Sequence, residues 1–312
     1  MSKTVVSAQR MVTGYLHSGY AESLMEFGTP RKLPHCEGWI LERQIPGFPF
    51  FDAMGCYPLF ACQDWSQLQY DLAELGQDLV SLSLVTDPFG KYDEACLHQC
   101  FKDVVVPFKD HFVVDLSRPR NEIVSKHHRY YARKALKDVD VERCEGPMSF
   151  LDDWLDLYAT LIRRHDIKGI PAFSRTAFAR QMETPGLVML RAVSRGTTVG
   201  AHLWYVQGEV AYSHLAAFSP LGYELIASYA LYWFAIDYFV GKVAWLNLGA
   251  SAGIKHEGAD GLSQFKRGWS TGTRPAYFCG RVFEKARYKE IVSHKTGLPN
   301  KGYFPLYRYG EF

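Results

Sequence analysis

The stretch 187–269 constrains this chain most, because it strings short apolar runs, turn residues and one long apolar segment in a fixed order. Residues 188–193 (VMLRAV), 199–206 (VGAHLWYV) and 210–217 (VAYSHLAA) have the length and β-branched content of strands. Gln207, Gly208 and Glu209 between the last two runs are of hairpin length. A loop at 218–223 with Pro220 and Gly222 leads into the apolar segment 224–240, and a further strand-like run follows at 243–248. A strand that enters a helix through a Gly/Pro loop and is followed at once by another strand is the layout of an α/β ligand-binding unit. The first turn of such a helix has unpaired N–H groups and a positive dipole end, which suit a nucleotide phosphate or a phosphate-bearing thioester.

The apolar segment must be tested as a membrane span, since 222–241 is close to the crossing length. Glu224 and Asp237 each cost about 2.5–3.5 kcal/mol at mid-membrane, and short strands rather than basic loops flank the segment. A helix buried inside a large domain is the expectation, with no integral membrane span. The 312 residues suffice for one large or two ordinary domains, and 47% hydrophobic content supplies the core. A net charge of +2 gives no overall drive toward nucleic acid or membrane. Seven scattered cysteines and an amino terminus (MSKTVVSAQR) without an apolar core segment point to a reducing, cytoplasmic setting. Cys96 and Cys100 flank His98, but without a second ligand pair no metal is expected there.

Taken in order, 39–62 is rich in Pro, Gly and aromatics and reads as short strands and turns. Residues 66–76 form a helix through Leu68, Leu72 and Leu75, capped by Asp64 or Ser66. Strands follow at 79–85 and 111–116, with a helix at 92–101 between them. The segment 118–137 carries seven Lys and Arg residues against Glu122 alone, with Ser117 as its cap. Arg129 and Arg133 share a face there, extended by Lys126 and Lys137. Such a stripe binds phosphates or is simply a solvated face. Residues 149–164 repeat Leu151, Trp154, Leu155, Tyr158, Leu161 and Ile162 at helical spacing, and Ser174 caps a helix through 181. His165 and Asp166 are adjacent at a helix end and do not form an acid–base pair. Near the end, 276–283 reads as a strand and 284–293 as a helix.

Four dispersed motifs, spread over 117–269, carry a family resemblance. Residues 129–135 (RYYARKA) look like a basic "RRxIRKA" helix, and they are followed by 168–174 (KGIPAFS). Gly200-Ala201-His202-Leu203 matches a "VAAxL" strand, and Phe265-Lys266-Arg267-Gly268-Trp269 an "FKRxF/W" signature. Together they resemble the Fem-like branch of the GNAT superfamily, which contains peptidoglycan-bridge aminoacyl transferases. The resemblance implies an α/β (α+β mixed sheet) fold of tandem GNAT-like acyltransferase domains, although no repeat is visible in the sequence. It suggests a first, degenerate domain over 1–116, with the tail 280–312 packing on it, and the acyltransferase domain over 117–279. It implies an acyl or aminoacyl group taken from acyl-CoA or aminoacyl-tRNA as co-substrate, with no tightly bound cofactor. The acceptor would be an amine on a cell-envelope precursor or small molecule. A non-catalytic GNAT-like binding or scaffold protein is the alternative.

In GNAT-type sites two parallel strands splay and the donor enters between them; here these would be 210–217 and 243–248, parting near 214 and 247. Lys266 matches the family position that supports the donor carbonyl, where an ammonium stabilises a developing oxyanion. Arg129, Arg133, Phe265 and Trp269 are expected around the substrates. Ser219, Leu221, Gly222 and Tyr223 are expected under the donor's pyrophosphate. That loop departs from the CoA-binding "(R/Q)xxGx(G/A)" pattern, keeping only Gly222, which leaves an aminoacyl-tRNA donor equally open. A three-residue turn would put His202 opposite His214 on one face, with His214 a candidate base or a buried core histidine. Where the family pattern has Asp ("FDxG") this chain has Asn247, which can orient an acceptor by hydrogen bonding. His256, Glu257 and Asp260 are further acceptor-side candidates.

Overall fold

In the computed structural model, which describes residues 11–251, 261–299 and 302–311, the strands join a single sheet. They are β1 (Thr29–Leu33), β2 (Gly38–Gln44), β3 (Phe51–Gly55), β4 (Leu79–Val85), β5 (Val104–Asp115) and β6 (Asp140–Cys144). The rest are β7 (Leu187–Ser194), β8 (Thr197–Gln207), β9 (Val210–Phe218), β10 (Trp245–Asn247) and β11 (Gly272–Val282). The helices are α1 (Ser18–Glu22), α2 (Leu68–Leu75), α3 (Glu94–Cys100), α4 (Arg120–Ile123), α5 (Lys126–Ala135) and α6 (Leu151–His165). They continue with α7 (Arg175–Glu183), α8 (Pro220–Glu224), α9 (Ala227–Phe239), α10 (Gly261–Arg267) and α11 (Lys285–Ser293).

The spatial order β1-β2-β3-β4-β11-β5-β10-β9-β8-β7-β6 contains a repeat. From either edge, antiparallel strands lead to one parallel pair, β3 with β4 and β9 with β10. A parallel pair needs a crossover, supplied by α2 in the first half and by α8 and α9 in the second. The next strand of each half then leaves for the other. β5 follows α3 and lies beside β10, and β11 follows α10 and lies beside β4. β5 and β11 pair with each other, so two tandem GNAT-like halves exchange their inner strands and close into a single mixed sheet. The sequence hides this repeat because its signal is strand direction, not residue identity.

Local chemistry explains most of the elements. Asp64 and Asp93 accept N–H groups of Ser66 and Cys96 and open the helical segments that carry α2 and α3. α6 buries Leu151, Trp154, Leu157 and Tyr158 along one stripe and ends at Asp166 in the left-handed region. β5 starts at Val104, earlier than the expected 111, because β11 supplies a partner along it. Pro107, which has no N–H, sits where the register shifts opposite Ala276 and Tyr277, and so removes no ladder bond.

Two expectations are corrected. The long apolar segment is not a single helix: α8 and α9 are separated at Ile226, whose φ of 50° breaks the helical path. No helix among the described residues is long and apolar enough to cross a membrane. The basic segment is likewise two helices, and Ser117 caps neither, because its hydroxyl donates to Asp115 at 2.6 Å. Ser125 instead caps α5. The tail lies against the first half, where Arg308 and Tyr307 hold the fully buried Asp52 at 2.9 and 3.0 Å.

Candidate functional site

The parallel ladder between β9 and β10 covers only Trp245 with Val210, Leu246 with Ala211 and Asn247 with Tyr212. Beyond it the chains diverge. Leu248 donates to Phe112 O at 2.8 Å and Phe112 to Gly249 O at 3.1 Å, so the β10 side follows β5. On β9 the register shifts between Leu203–Leu215 and Trp204–Ser213, leaving His214 as an extra residue. A bulge bends its strand, and here the bend lies where β9 leaves β10. Among the described residues no strand takes the β10-facing side of 213–218.

Lys266, on α10, reaches this gap. Its ammonium is buried, donates to Ala250 O at 2.6 Å and lies 3.2 Å from where a Cβ on Gly249 would stand. Its charge is felt by His111 on β5 and by His202 on β8, which flank the gap from opposite sides. Asn247 ends the ladder, and its Oδ1 accepts from Gly249 N–H at 2.9 Å and faces His111 Nδ1 at 3.0 Å. Burial, then the charges of Lys266 and Lys109, push the His111 pKa down to about 4 against the opposing bond to Asn247, so the ring is neutral at pH 7. Sequence reading missed His111. Its strand was legible, but not that the strand crosses to the second half.

The Phe-Lys-Arg-Gly-Trp signature has a structural logic beyond its lysine. A Cβ on Gly268 would fall 2.0 Å from the His128 ring, so glycine there makes the seat for a histidine from α5. His128 is held by Ser125 Oγ at 2.9 Å and Phe265 O at 2.9 Å, and stands edge-on to Trp269 at 5.1 Å. Trp269 is fully buried and Phe265 packs against Tyr229 and Tyr232 of α9. Trp269 is therefore a packing residue that fixes α10 and so aims Lys266, and Phe265 shares that packing while staying half-buried.

Other expected residues fall outside the gap. Gln207 pairs with Val210, so the turn is the two residues Gly208 and Glu209 and His202 comes opposite Ala216, not His214. His214 turns to the other face, where Tyr15 O–H meets Nδ1 at 3.1 Å and Gln181 Oε1 meets Nε2 at 3.2 Å. Burial alone pushes its pKa to about 3. With both nitrogens engaged, it is a core histidine and not the base. His202 is fully buried between Trp204 and Tyr232, with Nε2 on Ser213 Oγ at 2.8 Å.

The loop 219–223 engages one of its own amides internally. Ser219 Oγ accepts the Gly222 N–H at 3.1 Å, and a Cβ on Gly222 would stand 1.9 Å from Val199 O. Glycine is needed there for packing on β8, and its amide is already engaged. Leu221 is exposed, and Tyr223 lies under the Arg164 guanidinium at 4.3 Å. On the basic helix, Arg129 donates to Asn121 O at 2.9 Å, whereas Lys126, Arg133, Lys134 and Lys137 are exposed. His256, Glu257 and Asp260 lie outside the described residues. No metal-ligand cluster occurs among the described residues. An open cavity of about 670 Å3 shares no lining residue with the gap, and the Arg308 and Glu311 that line it pair with each other.

Residues 122–267 match the model of the family described as Acetyltransferase (GNAT) domain. FemX is similar in structure, with a TM-score of 0.63 at 13% identity over 88% of this chain and 93% of its own. L-PGS from Bacillus licheniformis gives 0.57 at 14% identity over 87% of this chain and 94% of its own. No curated protein matches in sequence. The fold is Fem-like GNAT.

Proposed function

We propose that this chain is an N-acyltransferase that moves an acyl or aminoacyl group from a carrier, CoA or tRNA, to an amine acceptor. The carrying observation is the buried Lys266 ammonium at the mouth of the parted β9–β10 pair. A donor carbonyl entering the gap would present its oxygen to a positive charge in a site of low dielectric, where such stabilisation is large. The bond from the amine to the carbonyl carbon forms as the carrier's C–O or C–S bond breaks.

Two features favour aminoacyl-tRNA over CoA. The loop 219–223 holds its own glycine amide and carries no basic side chain. The exposed face of α5 offers Lys126, Arg133 and Lys134, with Lys137 just beyond, to a polyanion. FemX and L-PGS share the fold, and an acceptor on a cell-envelope precursor is the corresponding proposal. A division into 1–116 with the tail 280–312, and 117–279 carrying the site, is also proposed; β5 and β11 cross it.

The test is transfer of labelled acyl groups from acetyl-CoA and from bulk charged tRNA to a panel of amines. Lys266→Ala should lose about 10²–10³-fold in kcat. Equal rates for both proteins would dismiss the reading. A steep fall of tRNA-dependent transfer with salt, absent with acetyl-CoA, would identify the carrier.

A further inference from the structure

We propose that His111 is the catalytic base of this transfer, accepting the amine proton at Nε2, and that Asn247 is the positioning residue that sets its tautomer. This deepens the acyltransferase reading and rests on it.

The assignment follows from which groups can donate. Gly249 N–H is a donor only, so the Asn247 amide atom it meets at 2.9 Å is the oxygen. The same oxygen faces His111 Nδ1 at 3.0 Å, so Nδ1 must carry the proton. In the neutral ring the lone pair is then on Nε2, and among the described residues nothing bonds that atom. Neither other histidine near the gap offers this: His214 has both nitrogens engaged, and His202 is fully buried. His111 retains 8% of its surface.

Position supports the same role. Four consecutive residues, 247–250, tie the two groups together: Asn247 Oδ1 holds His111 and Ala250 O holds the Lys266 ammonium. Both lie where β9 and β10 part. In the reaction the amine lone pair bonds to the donor carbonyl carbon while the carbonyl electrons move to oxygen, toward Lys266. The N–H proton passes to His111 Nε2. When the carrier bond breaks, the imidazolium returns that proton to the departing oxygen or sulfur, so the enzyme ends unchanged. Lys266 from α10 and Lys109 from β5 disfavour the imidazolium and so keep the resting ring neutral and able to accept a proton, while Arg274 of β11, opposite His111 in the ladder, stacks on Phe89 and Trp245.

Two measurements on the whole chain test this. In ¹⁵N-labelled protein at pH 7, two-bond proton–nitrogen correlations should show His111 neutral with the proton on Nδ1. Asn247→Leu should lose that single tautomer. An Nε2–H ring or an imidazolium in wild type overturns the assignment. In the transfer assay, with acetyl-CoA and bulk charged tRNA as donors, His111→Gln should lower kcat about 10²–10³-fold while donor KM stays within about twofold. Asn247→Leu should cost about tenfold. Asn247→Asp keeps both acceptor contacts and should restore most of the rate, with the acid limb of the kcat–pH profile moved upward by the new carboxylate. A His111→Gln protein as fast as wild type sinks the base while leaving Lys266 standing. Lys266→Ala as fast as wild type sinks the underlying reading instead.

Discussion

The two halves share a strand plan and differ at the seam between their parallel strands. In the second half β10 follows β5 after three paired residues, and the side of β9 facing the seam is left without a strand among the described residues. In the first half the seam is sewn shut. Beyond β3 the chain returns so that Phe60 bridges Thr86, with Phe60 N–H on Val85 O at 2.7 Å and Asp87 N–H on Phe60 O at 3.0 Å. The buried Phe60 ring then stands edge-on to Trp65 at 5.4 Å. The helix that follows each pair differs accordingly: α10 delivers Lys266 to the open seam, whereas α3 buries Leu97 and Cys100 and has no lysine. A repeated fold thus holds one candidate site, and what separates the copies is whether anything occupies the space between two strands.

Substitutions at equivalent seams should therefore separate stability from activity. Phe60→Ala removes a fully buried ring and should lower stability by about 3–5 kcal/mol, read by urea denaturation, with kcat of the folded fraction unchanged. Lys266→Ala should do the reverse, losing about 2.7–4 kcal/mol of transition-state stabilisation with little change in melting. If Phe60→Ala lowers kcat as far as Lys266→Ala does, the first seam is not merely structural.

The loop just past the closed seam gives a pH signature. Burial pushes the Asp87 pKa up to about 6, against the opposing bonds from Phe89 N–H and Tyr212 O–H and the charge of Arg274. Its folded pKa lies above its unfolded value, so its contribution is fully present below about pH 4 and is lost as pH rises through 6. Asp87→Asn should therefore gain on wild type by roughly 2–3 kcal/mol between pH 4 and pH 6, and hold that difference above. A difference that does not vary with pH would show that folding leaves the Asp87 pKa unshifted. In the second half His202 and His214 act oppositely: their folded pKa values near 3 make their stability present above about pH 6.5 and lost as pH falls toward 3.

At the open seam, Gly268→Ala should cost about 1–3 kcal/mol by forcing a methyl into the His128 ring. Pairing it with His128→Ala should recover part of that cost, a coupling that independent sites would not show.

What could be read without coordinates follows from where each signal resides. Strands 187–194, 197–207 and 210–218 and the stripe of α6 are encoded by local periodicity, and were legible. Lys266 was singled out by its signature, and its ammonium lies beside the residues that follow β10. His111 was not, because it reaches the second half only through strand exchange, a contact between residues 136 positions apart. His214 misled because it is itself the extra residue of a bulge on β9, between Ser213 and Leu215, and one such residue reverses the face on which a side chain emerges. The Gly222 loop misled because a glycine that packs on a carbonyl and one that admits a phosphate look identical in a sequence.

The smallest effect asked of the comparison concerns charge outside the seam. The helix before β1, α1, carries no lysine or arginine, whereas α5, before β6, exposes Arg133 and Lys134 in its last turn. If the second half alone recruits a polyanionic carrier, Arg133→Glu with Lys134→Glu should lower the slope of log affinity against log salt by about two for charged tRNA. Transfer from acetyl-CoA should be unaffected, because neither side chain lines the gap. An unchanged salt slope would mean that α5 is a solvated face, and that the carrier's phosphates are met elsewhere on the molecule.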